Sequence, residues 1–296
     1  MQEVHCSFYK KINELDDGTY SIARYHAISE VPKLALWKQD IFTVLGRDLP
    51  RQKNREIIFY GEWKENIYKK RKSLQFHAER FKVLLPETKE AIQEVLADEV
   101  PGIGKKTAKA IVDAFGTDTF HVLKEPPKHE TIPRIKLMAV RNFIKAEERK
   151  ERLCYLMGTY DLKKGQARKV LKAFGEDATE MLDANIYNLY KAGISLADIE
   201  MNHEPSEEEK NDTIRIRCGI YSAITRLCKN KGHTFIYEND LINETYYVMH
   251  KSVPKATIMF ALDYFKSQLV DESIVYEDGK FFLQEYYDAE MLLNKM

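Results

Sequence analysis

The sequence lacks any uninterrupted run of about 18 apolar residues, the minimum for a membrane-spanning helix, which argues against membrane insertion. Its first residues, MQEVH, lack the basic start and apolar stretch of a secretory signal peptide. Cysteine is scarce: there are four, at positions 6, 154, 218 and 228, without CxxC spacing. They indicate reduced thiols rather than a disulfide framework or a zinc site. These absences predict a cytoplasmic protein that binds no metal.

Motifs of a self-contained enzyme are also missing. The eight histidines are scattered and no HExxH pattern occurs. No segment fits the phosphate loop G-x-x-x-x-G-K-[ST]. The nearest candidate ends at Lys105, but Glu99 stands where the first glycine is needed and Lys106 follows where Ser or Thr is needed. We therefore predict no catalytic residues and no cofactor bound by this chain.

Neither positive nor negative charge is in excess over the whole chain, which contains 46 Lys/Arg and 46 Asp/Glu. The distribution is uneven: residues 1–85 carry a net +5, residues 86–204 a net −1 and residues 205–296 a net −4. A basic first segment in a neutral chain indicates a local anionic partner.

Short strand-like runs dominate the first 85 residues. Alternating or β-branched segments occur at 4–9, 19–25, 41–45, 57–60 and 76–83, and Asp16-Asp17-Gly18 is a turn signal between the first two. Five short strands in so few residues favour a small closed barrel, and we predict an OB-like barrel over 1–85.

A basic loop is predicted at 64–72, between the last two strands. It interleaves Tyr68 with Lys69, Lys70, Arg71 and Lys72, a pattern that suits phosphate tracking and base stacking on single-stranded nucleic acid. The alternative is a solvated hairpin tip kept soluble by its charge.

From residue 86 the apolar period changes from two to 3.6, which predicts helices. Helical stretches are expected at about 107–115, 135–150, 151–158, 163–174 and 177–190, and the polar segment 204–211 is predicted to be a linker. Residues 212–296 show three helices followed by a β-hairpin, the order of a winged-helix domain. The last helical pattern starts near Asp288 and looks interrupted at Met296. The predicted class is thus α+β and multidomain: a barrel at 1–85, a helical region at 86–203, the linker and a winged-helix-like domain.

The sharpest motif is VPGIGKKTA at 100–108, the pattern of a helix–hairpin–helix. Gly102 and Gly104 permit a tight hairpin, with Ile103 between them, and let a phosphate approach backbone N–H groups. The second helix begins there with Lys105, Lys106 and Thr107, so that its positive end faces the same anion. Such a site grips the sugar–phosphate backbone and reads no bases. The alternative is a structural helical turn with incidental lysines.

Weaker copies of the motif follow. Residues 131–136 stand where a second hairpin would fall but lack both glycines, and the pattern at 193–197 is poorer still. Residues 162–171 keep the small and basic pattern, and FGED at 174–177 resembles FGTD at 115–118. We predict an internal repeat of about 59 residues, in which Lys163, Lys164 and Arg168 contact DNA.

Taken in order, the segments resemble the N-terminal region of RecD-like DNA helicases, in the subgroup with a long extension before the motor domains. In the barrel the resemblance is carried by GTYSI, LGRDLP, GEW and QF at 18–22, 45–50, 61–63 and 75–76. PGIGKKTA is similar to the family's first hairpin, and GHTF, VYEDG and YYDAE at 232–235, 275–279 and 286–290 are similar to its third segment.

The resemblance implies an ATP-dependent superfamily 1 helicase working 5′→3′, with ATP and Mg²⁺ bound by motor domains beyond Met296. It implies single-stranded or forked DNA as the partner and intramolecular docking onto the motor. The second hairpin lacks the family's glycines and the last is largely lost, which puts DNA contact there in doubt. Two alternatives stay open: a stand-alone protein for branched or junction DNA, and a protein-interaction scaffold.

Overall fold

The structure is a computed structural model that describes residues 1–15, 20–52, 55–68, 71–267 and 273–293, and only the backbone of residues 15, 68 and 71. The chain divides into two compact units, Met1–Leu162 and Lys163–Met296, and each is described by itself. The boundaries expected at 85/86 and 203/204 do not coincide with this division and stay predictions. The turn predicted at 16–18 lies outside the described residues.

The first unit begins with a strand-rich segment. Its strands are β1 Gln2–Leu15, β2 Tyr20–Ala27, β3 Leu36–Lys38, β4 Ile41–Arg47, β5 Glu56–Tyr68 and β6 Arg71–Val83. Antiparallel pairs join β1 to β2, β2 to β4, β5 to β6 and β1 to β5, and a parallel pair joins β4 to β6. These pairings close five strands into a ring, with the short β3 beside β4. The predicted OB-like barrel is confirmed.

Alternating side chains fill the barrel. Along β2 the odd-numbered residues Ser21, Ala23 and Tyr25 are buried and their neighbours are not, because successive side chains of a strand point to opposite faces. The phenol of Tyr25 is wholly buried and donates a hydrogen bond to the carbonyl of Pro50 at 2.8 Å. Its ring meets that of Phe59 edge to face, with centroids 4.8 Å apart.

The prediction of a loop at 64–72 was wrong over most of that range. Residues 64–68 belong to β5 and 71–72 to β6, and Lys64 pairs with Gln75 and Ile67 with Lys72 across the two strands. β1 pairs with β5 only as far as Gly61, and β4 pairs with β6 only over residues 76–78. Residues 64–68 and 71–75 therefore extend the hairpin beyond the barrel's other pairings, and we call them the β-arm. The charges concealed the strand pattern because the exposed positions of the arm, among them Lys64, Glu65 and Lys72, tolerate charged side chains.

The described part of the first unit also contains four α-helices: α1 Lys89–Glu99, α2 Lys105–Phe115, α3 Thr119–Val122 and α4 Arg134–Thr159. The two helices predicted at 135–150 and 151–158 are one, since no glycine or proline interrupts the chain before Gly158. Gly158 lies against β6, where an added Cβ would come within 2.4 Å of the carbonyl oxygen of Glu79. α4 thus packs directly on the barrel.

The second unit is mainly helical. Its elements are α5 Lys164–Phe174, α6 Ala178–Ala184, α7 Leu196–Glu200, α8 Thr213–Lys231, β7 Ile236–Tyr237, α9 Glu238–Val248, α10 Lys255–Lys266, β8 Ile274–Glu277, β9 Lys280–Leu283 and α11 Gln284–Leu293. The 3-10 segment Ile186–Ala192 packs against α5, α6 and α8. β9 lies between β7 and β8 in an antiparallel sheet. From α8 onward the elements follow the order expected for residues 212–296.

Among the described residues, no helix is both long and apolar enough to cross a bilayer. The four cysteines are free thiols, and burial raises the pKa of Cys6, Cys218 and Cys228.

Candidate nucleic-acid interface

The hairpin between α1 and α2 is a tight turn closed by two buried side chains. Val100 and Ile103 are each 3% exposed, and the Ile103 N–H donates to the Val100 carbonyl at 3.1 Å. Between them, Gly102 has φ +79°, in the left-handed region that glycine adopts without steric cost. The need for glycine at position 102 is confirmed.

Gly104 has a different role from the one expected. Its φ of −93° and ψ of 170° are extended and open to any residue, and an added Cβ would meet no described atom within 4 Å. The turn itself therefore does not require glycine here. A bare backbone at this exposed N-cap instead leaves room for a ligand to approach the first N–H groups of α2.

Positive charge gathers around this turn. Lys105 and Lys106 are exposed in the first turn of α2, and no ion partner is recorded for either within the described chain. That turn holds no acidic residue and no side chain caps it. Acidic residues are normally preferred at the N-terminal end of a helix, because the helix dipole is positive there. The two lysines add to this positive potential instead of neutralising it, and a bound anion would neutralise it. Thr107 is half-buried.

A third lysine reaches the turn from α4. The Nζ atom of Lys136 donates to the carbonyl oxygen of Gly102 at 2.7 Å. The segment 131–136, interpreted from sequence as a degenerate hairpin, leads into α4, which begins at Arg134 with Pro133 as its N-cap. Sequence reasoning missed the contribution of Lys136 because the contact spans 34 residues and depends on helix packing.

The turn is anchored to the barrel through Arg55. Its guanidinium is fully buried, and its Nη1 lies 3.2 Å from Glu99 and 2.5 Å from Glu147. Glu99 is the last residue of α1, immediately before the hairpin, and Glu147 lies on α4. The same side chain donates to the carbonyl of Leu84 at 3.1 Å. One arginine thus ties α1, which leads into the hairpin, and α4, which carries Lys136, to the end of β6.

The predicted 59-residue repeat is present in the backbone. α2 and α5 both have 11 residues and start 59 apart, and each ends at a left-handed glycine, Gly116 at φ +62° and Gly175 at φ +59°. Ala108 and Ile111 face the core from α2, as Ala167 and Val170 do from α5. The residue equivalent to Gly102 is Asp161, with φ +49°, a conformation that Asp tolerates better than most residues.

The second copy differs from the first in charge. The carboxylate of Asp161 lies 3.1 Å from Arg47, so an acid stands where the first hairpin has bare backbone. Lys163 is the N-cap of α5, and its N–H donates to the Gln166 side-chain oxygen at 2.8 Å. Lys163 and Arg168 are exposed, whereas Lys164 is half-buried and engaged in an interaction of its own. The three predicted cations thus belong to the start of α5, and Lys169 is a fourth, exposed one.

The β-arm can be followed only in part. Lys69 and Lys70 lie outside the described residues, as do the side chains of Tyr68 and Arg71. Lys72 is exposed and lies 3.7 Å from Glu65. An exposed pair of this kind contributes little, and the predicted stacking and phosphate contacts of the arm stay a prediction.

No group of three or more His, Cys, Asp or Glu side chains arranged to hold a metal ion occurs among the residues described.

The fold and the hairpin together define a mixed α+β protein in which an OB-like barrel is followed by a helix–hairpin–helix region. Compared with known families, residues 146–235 match the ATP-dependent RecD2 DNA helicase HHH domain. This match supports an N-terminal region of a RecD2-like helicase, as the sequence predicted. The matched range runs from α4 to just before β7, so it contains the weaker hairpin copy and not the sharper motif at 100–108.

Proposed function

We propose that this chain is the DNA-binding, pre-motor region of a 5′→3′ RecD2-like helicase, and that its hairpin at 100–107 grips the sugar–phosphate backbone. One observation carries the proposal: the left-handed turn at Gly102 places Lys105, Lys106 and Lys136 around an uncapped helix start without acidic residues. Backbone N–H groups and lysines bind phosphate and carry no sequence information. The grip is therefore indifferent to base sequence.

The second hairpin copy acts as an auxiliary contact. Lys163 and Arg168 are exposed near the start of α5, but Asp161 stands where the first hairpin has the bare backbone of Gly102. We assign the main affinity to the first hairpin for this reason. ATP and Mg²⁺ are bound by the motor domains of the whole enzyme, in the cytoplasm, and the substrate is single-stranded or forked DNA.

The test is removal of the two hairpin lysines. Lys105→Ala/Lys106→Ala should weaken binding to duplexes of unrelated sequence equally, and should lower the slope of log K against log salt by about one to two units. Fluorescence anisotropy over a salt series measures both quantities.

Lys89→Ala is the matched control, because it removes one exposed lysine from the opposite end of the same helix pair. The side chain of Lys89 lies near Gly116, about 16 Å along α2 from Lys105 by the helical rise. A single Lys105→Ala change should reduce the slope more than Lys89→Ala does. Equal slopes for these two variants, with the fold intact by circular dichroism, would show that the hairpin is structural only.

A further inference from the structure

The outer face of the barrel carries a row of side chains that the hairpin does not explain. Lys10 on β1 and Arg24 on β2 are cross-strand partners, and Arg24 is also opposite Thr43 on β4. Like charges placed directly opposite each other destabilise a sheet. In the part of the chain that the structure describes, neither Lys10 nor Arg24 forms an ion pair with a carboxylate. An anionic ligand could therefore neutralise both positive charges.

An exposed indole lies at the end of this row. Trp37 on β3 is 47% exposed, and the guanidinium of Arg24 lies 3.6 Å from its ring centroid. The Nζ atom of Lys38 lies 4.5 Å from the same ring. Asp40, two positions after Lys38, is already engaged and lies 2.9 Å from His26. The face therefore combines an aromatic platform with three cations, Lys10, Arg24 and Lys38.

Arg24 is held by stacking rather than by hydrogen bonds. Its Nε atom is buried, and no acceptor for it is found among the described residues. A buried donor without a partner is costly, whereas the contact with Trp37 fixes the guanidinium plane beside the indole. This arrangement presents a flat cationic and aromatic surface.

We propose that Lys10, Arg24, Trp37 and Lys38 form a second DNA-binding site, which takes single-stranded DNA by stacking a base at Trp37 while the cations neutralise its phosphates. Stacking requires an accessible base face, which a duplex does not offer, and aromatic residues beside a basic track are how single strands are held without sequence preference. The four side chains lie on β1, β2 and β3, and β2 belongs to the face with which OB barrels bind oligonucleotides. The site does not depend on the hairpin at 100–107.

Intrinsic fluorescence isolates this site because the chain contains only two tryptophans. Trp63, the other one, is half-buried against Phe42 and Phe76, with centroids 5.6 and 5.0 Å away. Oligo(dT) of about 16 nucleotides, the upper end of the site sizes of single OB folds, should quench the fluorescence of the whole chain. Trp37→Phe should abolish the quenching.

Affinity for labelled oligo(dT) distinguishes stacking from mere surface packing. Trp37→Phe keeps a ring and should bind within a few-fold of the natural chain, whereas Trp37→Leu keeps apolar area only and should bind about 5- to 150-fold more weakly. The loss should be smaller for duplex DNA. Equal affinities for the Phe and Leu variants, or quenching that persists in Trp37→Phe, would overturn the proposal.

The hairpin variant separates this inference from the proposed function. Lys105→Ala/Lys106→Ala should leave the quenching of Trp37 by oligo(dT) in place. If that variant also binds duplex normally, the hairpin proposal fails and the barrel site stands. If the Trp37 variants bind single strands normally while the lysine variant loses duplex affinity, the barrel-site proposal fails and the hairpin proposal stands.

Discussion

Arg55 helps to position the hairpin at 100–107 although its own side chain is buried and does not belong to that surface. Its side chain is wholly buried, yet it is charged, and it is balanced by Glu99 and Glu147 from two helices. Removing one partner of a buried ion cluster leaves the remaining charges uncompensated, which usually costs more than the cluster contributed. Arg55 should therefore matter both for stability and for the position of the hairpin.

Arg55→Met should lower the free energy of unfolding by about 3–5 kcal/mol at neutral pH, measured by urea titration. Arg51→Met is the control, because Arg51 is 46% exposed and pairs with Glu14 on the surface. Exposed pairs contribute about 0–1 kcal/mol. Similar losses for the two variants would mean that the buried cluster has no special role.

Individual residues also mark the limit of sequence reasoning at the site. Gly102 was predictable because its left-handed turn is a local requirement. Lys136 and Arg55 were not, because their contacts with the hairpin region join residues far apart in sequence. Arg24 and Trp37 are 13 positions apart and meet only once the strands of the barrel have paired.

At the scale of elements, the sequence predicted what periodicity and turn chemistry control. The five barrel strands and the equivalence of α2 and α5 follow from alternation and from the FGTD and FGED turns. The β-arm was mistaken for a loop because charged residues interrupt the alternation of apolar side chains there, although the two strands remain paired. α4 was divided in two because its exposed charged stretch weakens the apolar period.

The third helix of the C-terminal helix–strand arrangement, α10, has exposed apolar side chains between Lys255 and Lys266 at its two ends. Its outward face carries Met259 and Phe260, 50% and 76% exposed, together with Asp263. The contact with motor domains that we propose therefore predicts docking at this exposed apolar face.

Phe260→Ser should leave DNA affinity unchanged and stability within about 0.5 kcal/mol, because the side chain is mostly exposed. It should weaken binding of the chain to separately purified motor domains of a RecD2-like helicase, measured by calorimetry. Ile258→Ser, at a fully buried neighbour, controls for damage to the helix and should destabilise strongly. A drop in DNA affinity for Phe260→Ser would instead make α10 a DNA-contacting helix.

Over the whole molecule, charge separates the two units although the chain is neutral. Residues 1–162 hold 29 Lys/Arg and 24 Asp/Glu, a net +5, and residues 163–296 hold 17 and 22, a net −5. Both the main hairpin and the barrel face lie in the first unit. Long-range attraction for a polyanion is therefore concentrated there, in keeping with our proposal that the first unit supplies the main DNA contact.

The extent of the second unit gives the last prediction. Arg215 on α8 is 3% exposed, and its Nε donates to Glu200 on α7 at 2.7 Å. The Leu196 N–H donates to Ser222 Oγ on α8 at 2.7 Å. A fragment of residues 163–296 keeps these partners, whereas a fragment of residues 205–296 lacks Glu200 and leaves Arg215 without its carboxylate. The free energy of unfolding of the shorter fragment should be lower by at least about 3–5 kcal/mol. Urea unfolding of both fragments measures this difference, and Glu200→Gln in the complete chain isolates the contribution of the ion pair. Equal stability of the two fragments would mean that the helices before residue 204 contribute nothing to the fold of residues 205–296. The domain boundary would then lie at 203/204, as predicted from the polar segment 204–211.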